Sequence, residues 1–169
     1  MTSKKSLPPE EFFRNDTYKN ILTNNDCGIS VWNYGFVNLT QNNITNSGYG
    51  IVLSVGYYGS CINNTITHNS ISRNEYGLSM YVWHKDCGGI SINNIIENNF
   101  TFNEKAIEMI STPIISHIGR NNIYHNNFIG NSRSVYLENS FRNQWVGNYW
   151  GNASEHPYPI FGKLTIFGI

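Results

Sequence analysis

Three polar residues recur at one position of a repeated segment, and their types would suit a metal ion. His68, Glu97 and His125 each stand immediately before an asparagine of the repeat. Two imidazoles and one carboxylate are suitable ligands for a transition metal. The competing interpretation is a solvated column whose charges pair with little effect. The first and last of these residues would lie about 9.6 Å apart along the axis if repeats stack as strands, too far to share an ion unless both lean together.

Acidic residues offer a second kind of chemistry. Glu75 and Glu104 hold the same place in neighbouring repeats, and His84 and Asp86 lie together in the longest segment between repeats. Glycosidases use two carboxylates about 5–10 Å apart across the scissile bond, so this spacing permits hydrolysis. Acids beside basic residues are more often surface charges. The sequence therefore favours a non-catalytic protein and keeps these four residues as weak catalytic candidates.

Aromatic residues gather in the segments whose length varies between repeats. They are Tyr57, Tyr58, Tyr81 and Trp83. Aromatic planes can stack on the apolar faces of sugar rings while neighbouring polar groups bond the hydroxyls. The alternative is that these rings cover the flank of the fold as structural packing. If they bind a polysaccharide, we expect weak binding that needs no metal or other cofactor and responds little to salt.

All of these residues would be positioned by a six-fold repeat built on asparagine. Segments beginning at Asn15, Val37, Asn64, Asn93, Asn121 and Asn143 roughly follow the pattern Asn-x-apolar-x-x-Asn-x-apolar, at separations of 22, 27, 29, 28 and 22 residues. Val37 replaces the first Asn in the second segment, and Thr17 replaces the first apolar residue in the first segment. A unit of this length repeated six times is typical of a solenoid. Apolar residues at alternate positions indicate strands. The sequence predicts an all-β, right-handed parallel β-helix with three sides, about six coils and a C-terminal cap.

Asparagine columns are predicted at the corners of each coil. One column contains Asn20, Asn42, Asn69, Asn98, Asn126 and Asn148, and a less regular one contains Asn25, Ser47, Asn74, Asn103 and Asn131. Stacked amides can donate to one neighbour and accept from the other, which makes an asparagine ladder. Asparagine also tolerates the left-handed backbone that a tight corner needs. Disorder, the alternative for an asparagine-rich chain, does not explain the regular apolar columns.

The predicted organisation is one domain in three parts. Residues 1–14 form an N-terminal extension or cap, residues 15–152 the solenoid, and residues 153–169 the C-terminal cap. At the end of the solenoid Trp145 and Trp150 would plug the last coil, and in the cap Pro157 and Pro159 would stop strand pairing. Phe161, Leu164, Ile166 and Phe167 would then fold over the end.

Composition narrows the partners. The net charge is zero and 13% of the residues are charged, which argues against nucleic acid. No apolar run approaches the ~20 residues of a membrane span. Met1–Arg14 lacks the apolar core of a signal peptide, so we expect the chain to be part of a larger surface protein. Cys27, Cys61 and Cys87 are expected to be free thiols, although Cys61 and Cys87 could approach each other.

The Asn-x-Ile-x-x-Asn coils with Gly-Ile-x-Leu third strands resemble parallel β-helix repeats of the pectin-lyase-like type. More narrowly, they resemble the NosD-like periplasmic copper-binding and carbohydrate-binding β-helix group, which is frequent in archaeal surface proteins. The segment Asn143–Gly151 is similar to an element that closes many such domains. The Asp-Asp, Gly-His-Gly and calcium-aspartate motifs of the enzymes with this fold are absent from the sequence.

The resemblance implies two classes of function and one variant. The first is a non-catalytic extracellular or cell-surface module that binds polysaccharide or serves as an envelope scaffold. The second is a polysaccharide lyase or glycoside hydrolase, or a fragment of one. The variant is a copper-accessory protein, for which the sequence offers no cluster of Met, His and Cys.

Overall fold

The chain folds as a stack of β-strand coils. The computed structural model describes residues 15–84, 86–111, 118–151 and 161–163. Within these ranges every regular element is a strand, and the paired strands are parallel. Short alternating segments such as Thr65–Thr67 and Ser70–Ser72 form these strands because period two places one apolar side chain inside and its neighbours outside.

The strands follow one another coil by coil. The first two coils contain β1 (Asn15–Tyr18), β2 (Ile21–Thr23), β3 (Cys27–Trp32), β4 (Val37–Thr40), β5 (Asn43–Thr45) and β6 (Tyr49–Val55). The third and fourth contain β7 (Ser60–Ile62), β8 (Thr65–Thr67), β9 (Ser70–Ser72), β10 (Tyr76–Val82), β11 (Gly89–Ser91), β12 (Asn94–Ile96), β13 (Asn99–Thr101) and β14 (Lys105–Ile110). The remainder are β15 (Ile118–Gly119), β16 (Asn122–Tyr124), β17 (Asn127–Ile129), β18 (Arg133–Glu138), β19 (Gln144–Val146), β20 (Tyr149–Trp150) and β21 (Phe161–Lys163).

Equivalent strands of successive coils pair into sheets. The first sheet is β1-β4-β8-β12-β16-β19, the second is β2-β5-β9-β13-β17-β20, and the third is β3-β6-β10-β14-β18-β21. Each coil therefore lies about 4.8 Å further along the axis than the one before it. The prediction of an all-β parallel β-helix is confirmed.

A short fourth sheet, β7-β11-β15, is an addition to the three predicted sides. Its strands occupy parts of the segments that the sequence analysis treated as variable loops. Cys61, Ile90 and Ile118 are paired in register and buried, so they form an inward column of their own. Ser140 continues this side in the next coil through an isolated bridge to Ile118.

The predicted apolar columns form the core. In the first sheet the fully buried column contains Leu39, Ile66, Ile95 and Ile123, and in the second sheet the buried column contains Ile44, Ile71, Phe100 and Phe128. The register places each of these residues opposite its counterpart in the next coil. Burial of an aliphatic side chain of this size contributes about 1.5–3 kcal/mol, so the columns are the main source of stability.

Both predicted asparagine ladders are present. In the first ladder, backbone N–H and side-chain Nδ2 of Asn69 donate to Oδ1 of Asn98, at 3.0 and 2.9 Å. The second contains the predicted serine: Asn25 N–H donates to Ser47 Oγ and Ser47 N–H donates to Asn74 Oδ1. A third ladder, which the sequence analysis did not name, contains Asn64, Asn93, Asn121 and Asn143.

The left-handed residue of each corner is the one before the ladder position, and asparagine holds it in some coils, as at Asn24, Asn46 and Asn63. At the first corner Lys19, Gln41, His68, Glu97, His125 and Gly147 have φ between 54° and 64°. The ladder asparagines are not among the described residues with positive φ. A left-handed L-residue costs about 1–2 kcal/mol, and the buried ladder bonds that follow each corner offset this cost.

Aromatic rings stack at the C-terminal end. Phe128 lies 5.3 Å from Phe100 and 4.4 Å from Trp150, with nearly parallel planes. Trp145 and Trp150 are partly buried and pack against the core, as predicted for plugs of the last coil. Pairing resumes after the two prolines, because β21 joins β18. The expectation that the prolines end strand pairing is therefore wrong, while the rest of the predicted cap and residues 1–14 lie outside the described residues.

Candidate functional site

The predicted metal column divides into a pair and a separate histidine. His68 Nε2 lies 2.7 Å from Glu97 Oε2, and His68 Nδ1 lies 2.8 Å from the Thr67 hydroxyl. About half of each side chain of the ion pair is exposed. The His125 ring leans the other way, since a Cβ built on Gly147 would lie 2.5 Å from it. The left-handed corner points these side chains outward, but it does not bring the three together.

The candidate acids Glu75 and Glu104 lie exposed at the corner before the third sheet, in adjacent coils. Their basic neighbours turn to other partners. Lys105 binds Glu108, and the Arg133 guanidinium lies 5.4 Å from the Tyr136 ring centroid. An acid catalyst needs a pocket that favours its protonated form, and two exposed carboxylates at a corner are not in such surroundings.

His84 and Asp86 do come together. The two side chains lie 3.5 Å apart through His84 Nδ1 and Asp86 Oδ2, and the Asp86 backbone N–H donates to the same Nδ1 at 3.2 Å. A neutral His84 therefore carries its proton on Nε2. The Tyr57 ring packs against the imidazole, with ring centroids 4.1 Å apart and planes tilted by 36°. This arrangement orients the imidazole, and among the described residues its contacts are with Asp86 and Tyr57.

The aromatic surface, defined as Tyr57, Tyr58, Tyr81 and Trp83, is mostly open to solvent. The exposed fractions are 67% for Tyr57, 86% for Tyr58 and 68% for Trp83, whereas Tyr81 is half-buried. The Tyr81 ring meets Trp83 edge-on at 4.5 Å and holds the indole. Tyr57, Tyr58 and Trp83 are therefore accessible to a ligand.

The aromatic surface follows the ends of the third-sheet strands over neighbouring coils. Trp83 N–H donates to the Val55 carbonyl of the preceding coil, which fixes the height of the indole on the solenoid. Trp32, 68% exposed, lies in the coil before that of Tyr57 and Tyr58, and its indole is next to Gly56. Coils about 4.8 Å apart thus present a row of rings on one flank.

A buried ion pair on the outer face of the third sheet was missed by the sequence analysis. Lys105 Nζ lies 2.7 Å from Glu108 Oε1 and 4.7 Å from the centre of the Tyr76 ring. Burial lowers the pKa of Lys105, but the hydrogen bond and charge of Glu108 outweigh this effect, so the pKa is raised. No simple sequence signal indicated this pair, because residues three apart on a regular strand point to opposite faces of the sheet.

The cysteines are free thiols, as expected. Cys61 belongs to β7 and points into the core, and Cys87 is buried just before β11. Burial raises the pKa of the Cys61 thiol and of the Cys27 thiol. Cys61 Sγ and Cys87 Sγ donate to separate backbone carbonyls, of Ser54 and Gly56. These contacts describe packing side chains and not a reactive pair.

Parallel sheets, stacked apolar columns and asparagine ladders define the chain as a parallel β-helix solenoid. It belongs to the NosD family, because the family model described as "Periplasmic copper-binding protein (NosD)" matches residues 9–155. No curated protein and no solved structure matches the chain significantly.

The family description names copper, which would need several suitable ligands close together. Over residues 15–84, 86–111 and 118–151, no group of three His, Cys, Asp or Glu side chains is placed to hold an ion. The His68–Glu97 and His84–Asp86 contacts supply two donors each. Copper sites draw on several imidazole or sulfur ligands, so the described residues do not fit one.

Proposed function

We propose that this protein is a non-catalytic β-helix module of the cell envelope that binds polysaccharide on its aromatic surface. The observation that carries the proposal is the exposure of Tyr57, Tyr58 and Trp83 on one flank. Leaving three large rings in water forgoes burial that each could have contributed, and sugar faces are a natural partner for them. The periplasm in the family description supports a location outside the cytoplasm. Within the described ranges, no helix is long and apolar enough to cross a membrane.

Titration calorimetry with neutral oligosaccharides tests the proposal. The double variant Tyr81→Ala, Trp83→Ala should lose binding, because it removes the indole and the ring that holds it. Tyr149→Ala is the matched control, since Tyr149 is also an exposed ring, at 56%, but lies on β20 of the second sheet. Affinity should be insensitive to salt and to a chelator. A ligand that binds the double variant as well as the parent would refute the proposal.

The same sugars should survive incubation with the protein. Candidate acids Glu75 and Glu104 are exposed, and a water-exposed carboxylate is a poor proton donor near neutral pH, so we expect no release of reducing ends from pectin, alginate or neutral polymers. Release that is lost in Glu75→Gln or Glu104→Gln would instead establish the hydrolase alternative.

A copper-accessory role is a second candidate, favoured by the family match. Since the described His, Cys, Asp and Glu side chains do not form a three-ligand group, the ion would need further donors, and His117 and His156, which lie outside the described residues, are the histidines to test. Copper titration of the metal-free full chain should then give one bound ion that His117→Ala or His156→Ala removes and His68→Ala retains. Absence of stoichiometric binding would reject this role.

A further inference from the structure

A groove of about 280 Å³ opens on the fourth sheet. Its lining includes Gly88, Ser91, Gly119, Arg120, Phe141 and Arg142. The volume approaches the lower end of the range of small-ligand sites, about 300 Å³. None of these residues belongs to the candidates that the sequence analysis selected.

The floor of the groove exists because side chains become smaller along one outward column. Ile62 pairs with Ser91, and Ser91 pairs with Gly119, so the side chain at this position changes from isoleucine to serine to the hydrogen of glycine. A Cβ at position 119 would lie 2.5 Å from the Phe141 carbonyl oxygen, and this close approach of the next coil keeps the position without a side chain. Phe141, 49% exposed, then forms a wall at the C-terminal side.

Two arginines stand together at the rim. Arg120 and Arg142 hold the same left-handed corner in successive coils, with φ of 58° and 61°, and Arg120 N–H donates to the Arg142 carbonyl at 3.1 Å. Both side chains are exposed. The ion pairs found in the described part of the chain join other residues. Two like charges side by side repel each other, and an anion between them would relieve the repulsion.

We propose that this groove binds the carboxylate of an acidic sugar of the hexuronate class. The planar guanidinium groups of Arg120 and Arg142 match the two oxygens of a carboxylate. The Arg142 guanidinium lies over the Phe141 ring, 6.0 Å from its centroid, so the charge and the half-exposed apolar ring adjoin at one place where a sugar carboxylate and its ring could be bound together. Ser91 offers a hydroxyl beside the open backbone of Gly119. The proposal does not depend on the aromatic surface, which follows the ends of the third sheet.

Titration calorimetry with a galacturonic acid trimer tests the groove, with the fully methyl-esterified trimer as the uncharged counterpart. Arg120→Gln and Arg142→Gln should each weaken binding of the acid at least about tenfold, as expected for loss of a charged hydrogen bond. Glutamine is tolerated at such a corner, since Gln41 occupies one with φ of 55°. Arg73→Gln is the matched control, because Arg73 is a left-handed corner residue away from the groove. Binding of the acid should weaken with salt, and any binding of the ester should be weaker and unaffected by the two arginine substitutions.

Several outcomes would overturn the proposal. They are equal binding of acid and ester, unchanged affinity in both groove variants, absence of binding, and trimer affinity no tighter than that of inorganic sulfate. Loss of trimer binding in Trp83→Ala but not in the arginine variants would also overturn it, by placing the sugar on the aromatic surface. Trimer binding that survives Trp83→Ala, together with failure of neutral sugars to bind, would retain the groove and reject the aromatic surface.

Discussion

Asn98 donates two hydrogen bonds to Oδ1 of Asn126, one from its backbone N–H at 2.9 Å and one from its side-chain Nδ2 at 3.0 Å. Asn98 Nδ2 also donates to the Ile66 carbonyl of the preceding coil at 2.9 Å. One buried side chain thereby satisfies backbone groups of neighbouring coils that no strand pairing reaches. This arrangement explains why asparagine is retained at the position after the left-handed corner, since shorter or apolar side chains would leave buried polar groups unpaired.

Asn98→Ala should therefore be strongly destabilising. It removes the acceptor of Asn69 and leaves the Ile66 carbonyl without its donor, inside a fully buried corner. Unsatisfied buried groups cost about 1–3 kcal/mol each, so we expect a loss of roughly 3 kcal/mol in the free energy of unfolding. Asn99→Ala, at the exposed next position, should cost less than about 1 kcal/mol. Similar denaturant midpoints for the two variants would contradict the ladder as a source of stability.

The register of the second sheet gives another matched pair of substitutions. Ile71 is fully buried between Ile44 and Phe100, whereas Ser72 faces outward and is half-buried. Ile71→Asn should cost at least about 2–5 kcal/mol, because it empties an inward column and buries an amide. Ser72→Asn should cost much less. Thermal unfolding measures both, and equal shifts would show that the inward and outward positions had been exchanged.

The fold could be predicted from the sequence because stacking makes the repeat directly visible. Ile66, Ile95 and Ile123 occupy one column and one structural position, so their period reports the coil. The fourth sheet was missed because its strands are two or three residues long and contain glycine, serine and cysteine, as in Gly89–Ser91. The asparagines that follow them, Asn64 and Asn93, were aligned as repeat starts but were not recognised as a ladder.

The site was predicted less well, for a physical reason. Residue type fixes what a side chain can do, but the direction of a corner side chain depends on its neighbours. His125 leans over Gly147, which has no side chain to occupy the space. Glu97 therefore pairs with His68 and not with His125. Exposure of Trp83 and Tyr58 depends on loops of unequal length, which repeat analysis does not describe. The groove lined by Arg120 and Arg142 could not be predicted without knowing that Ser91 and Gly119 lie next to each other in adjacent coils.

The Lys105–Glu108 pair predicts a dependence of stability on alkaline pH. The folded-state pKa of Lys105 is raised above its ordinary value of 10.5, so the stabilisation is fully present below pH 10.5 and is lost as the pH rises through the folded-state value. Glu108→Gln should lower the free energy of unfolding by about 2 kcal/mol at pH 7, because it leaves a largely buried amine without its partner. The difference between the parent and this variant should shrink above pH 10.5.

Denaturant unfolding of both proteins from pH 7 to pH 11 measures that difference and cancels contributions that they share. Glu104→Gln is the control, because Glu104 is an exposed acid next to Lys105 in sequence but has a different position on the solenoid. It should change stability by less than about 0.5 kcal/mol at any of these pH values. A difference for Glu108→Gln that stays constant, or grows, above pH 10.5 would contradict the assigned sign.

The last strand, β21, is predicted to protect the C-terminal end of the solenoid. Phe161, Gly162 and Lys163 pair with Tyr136, Leu137 and Glu138 of β18, which would otherwise be an edge strand with unpaired backbone groups. Deleting residues 157–169 should therefore lower the melting temperature and cause aggregation, and hydrogen exchange should lose protection first in β18. Deleting only residues 164–169 is the control, because it retains β21. If the longer deletion leaves the protein monomeric with unchanged melting, β21 does not cap the solenoid. If deletion of residues 164–169 is already sufficient to cause aggregation, the apolar residues after β21 provide the cap instead.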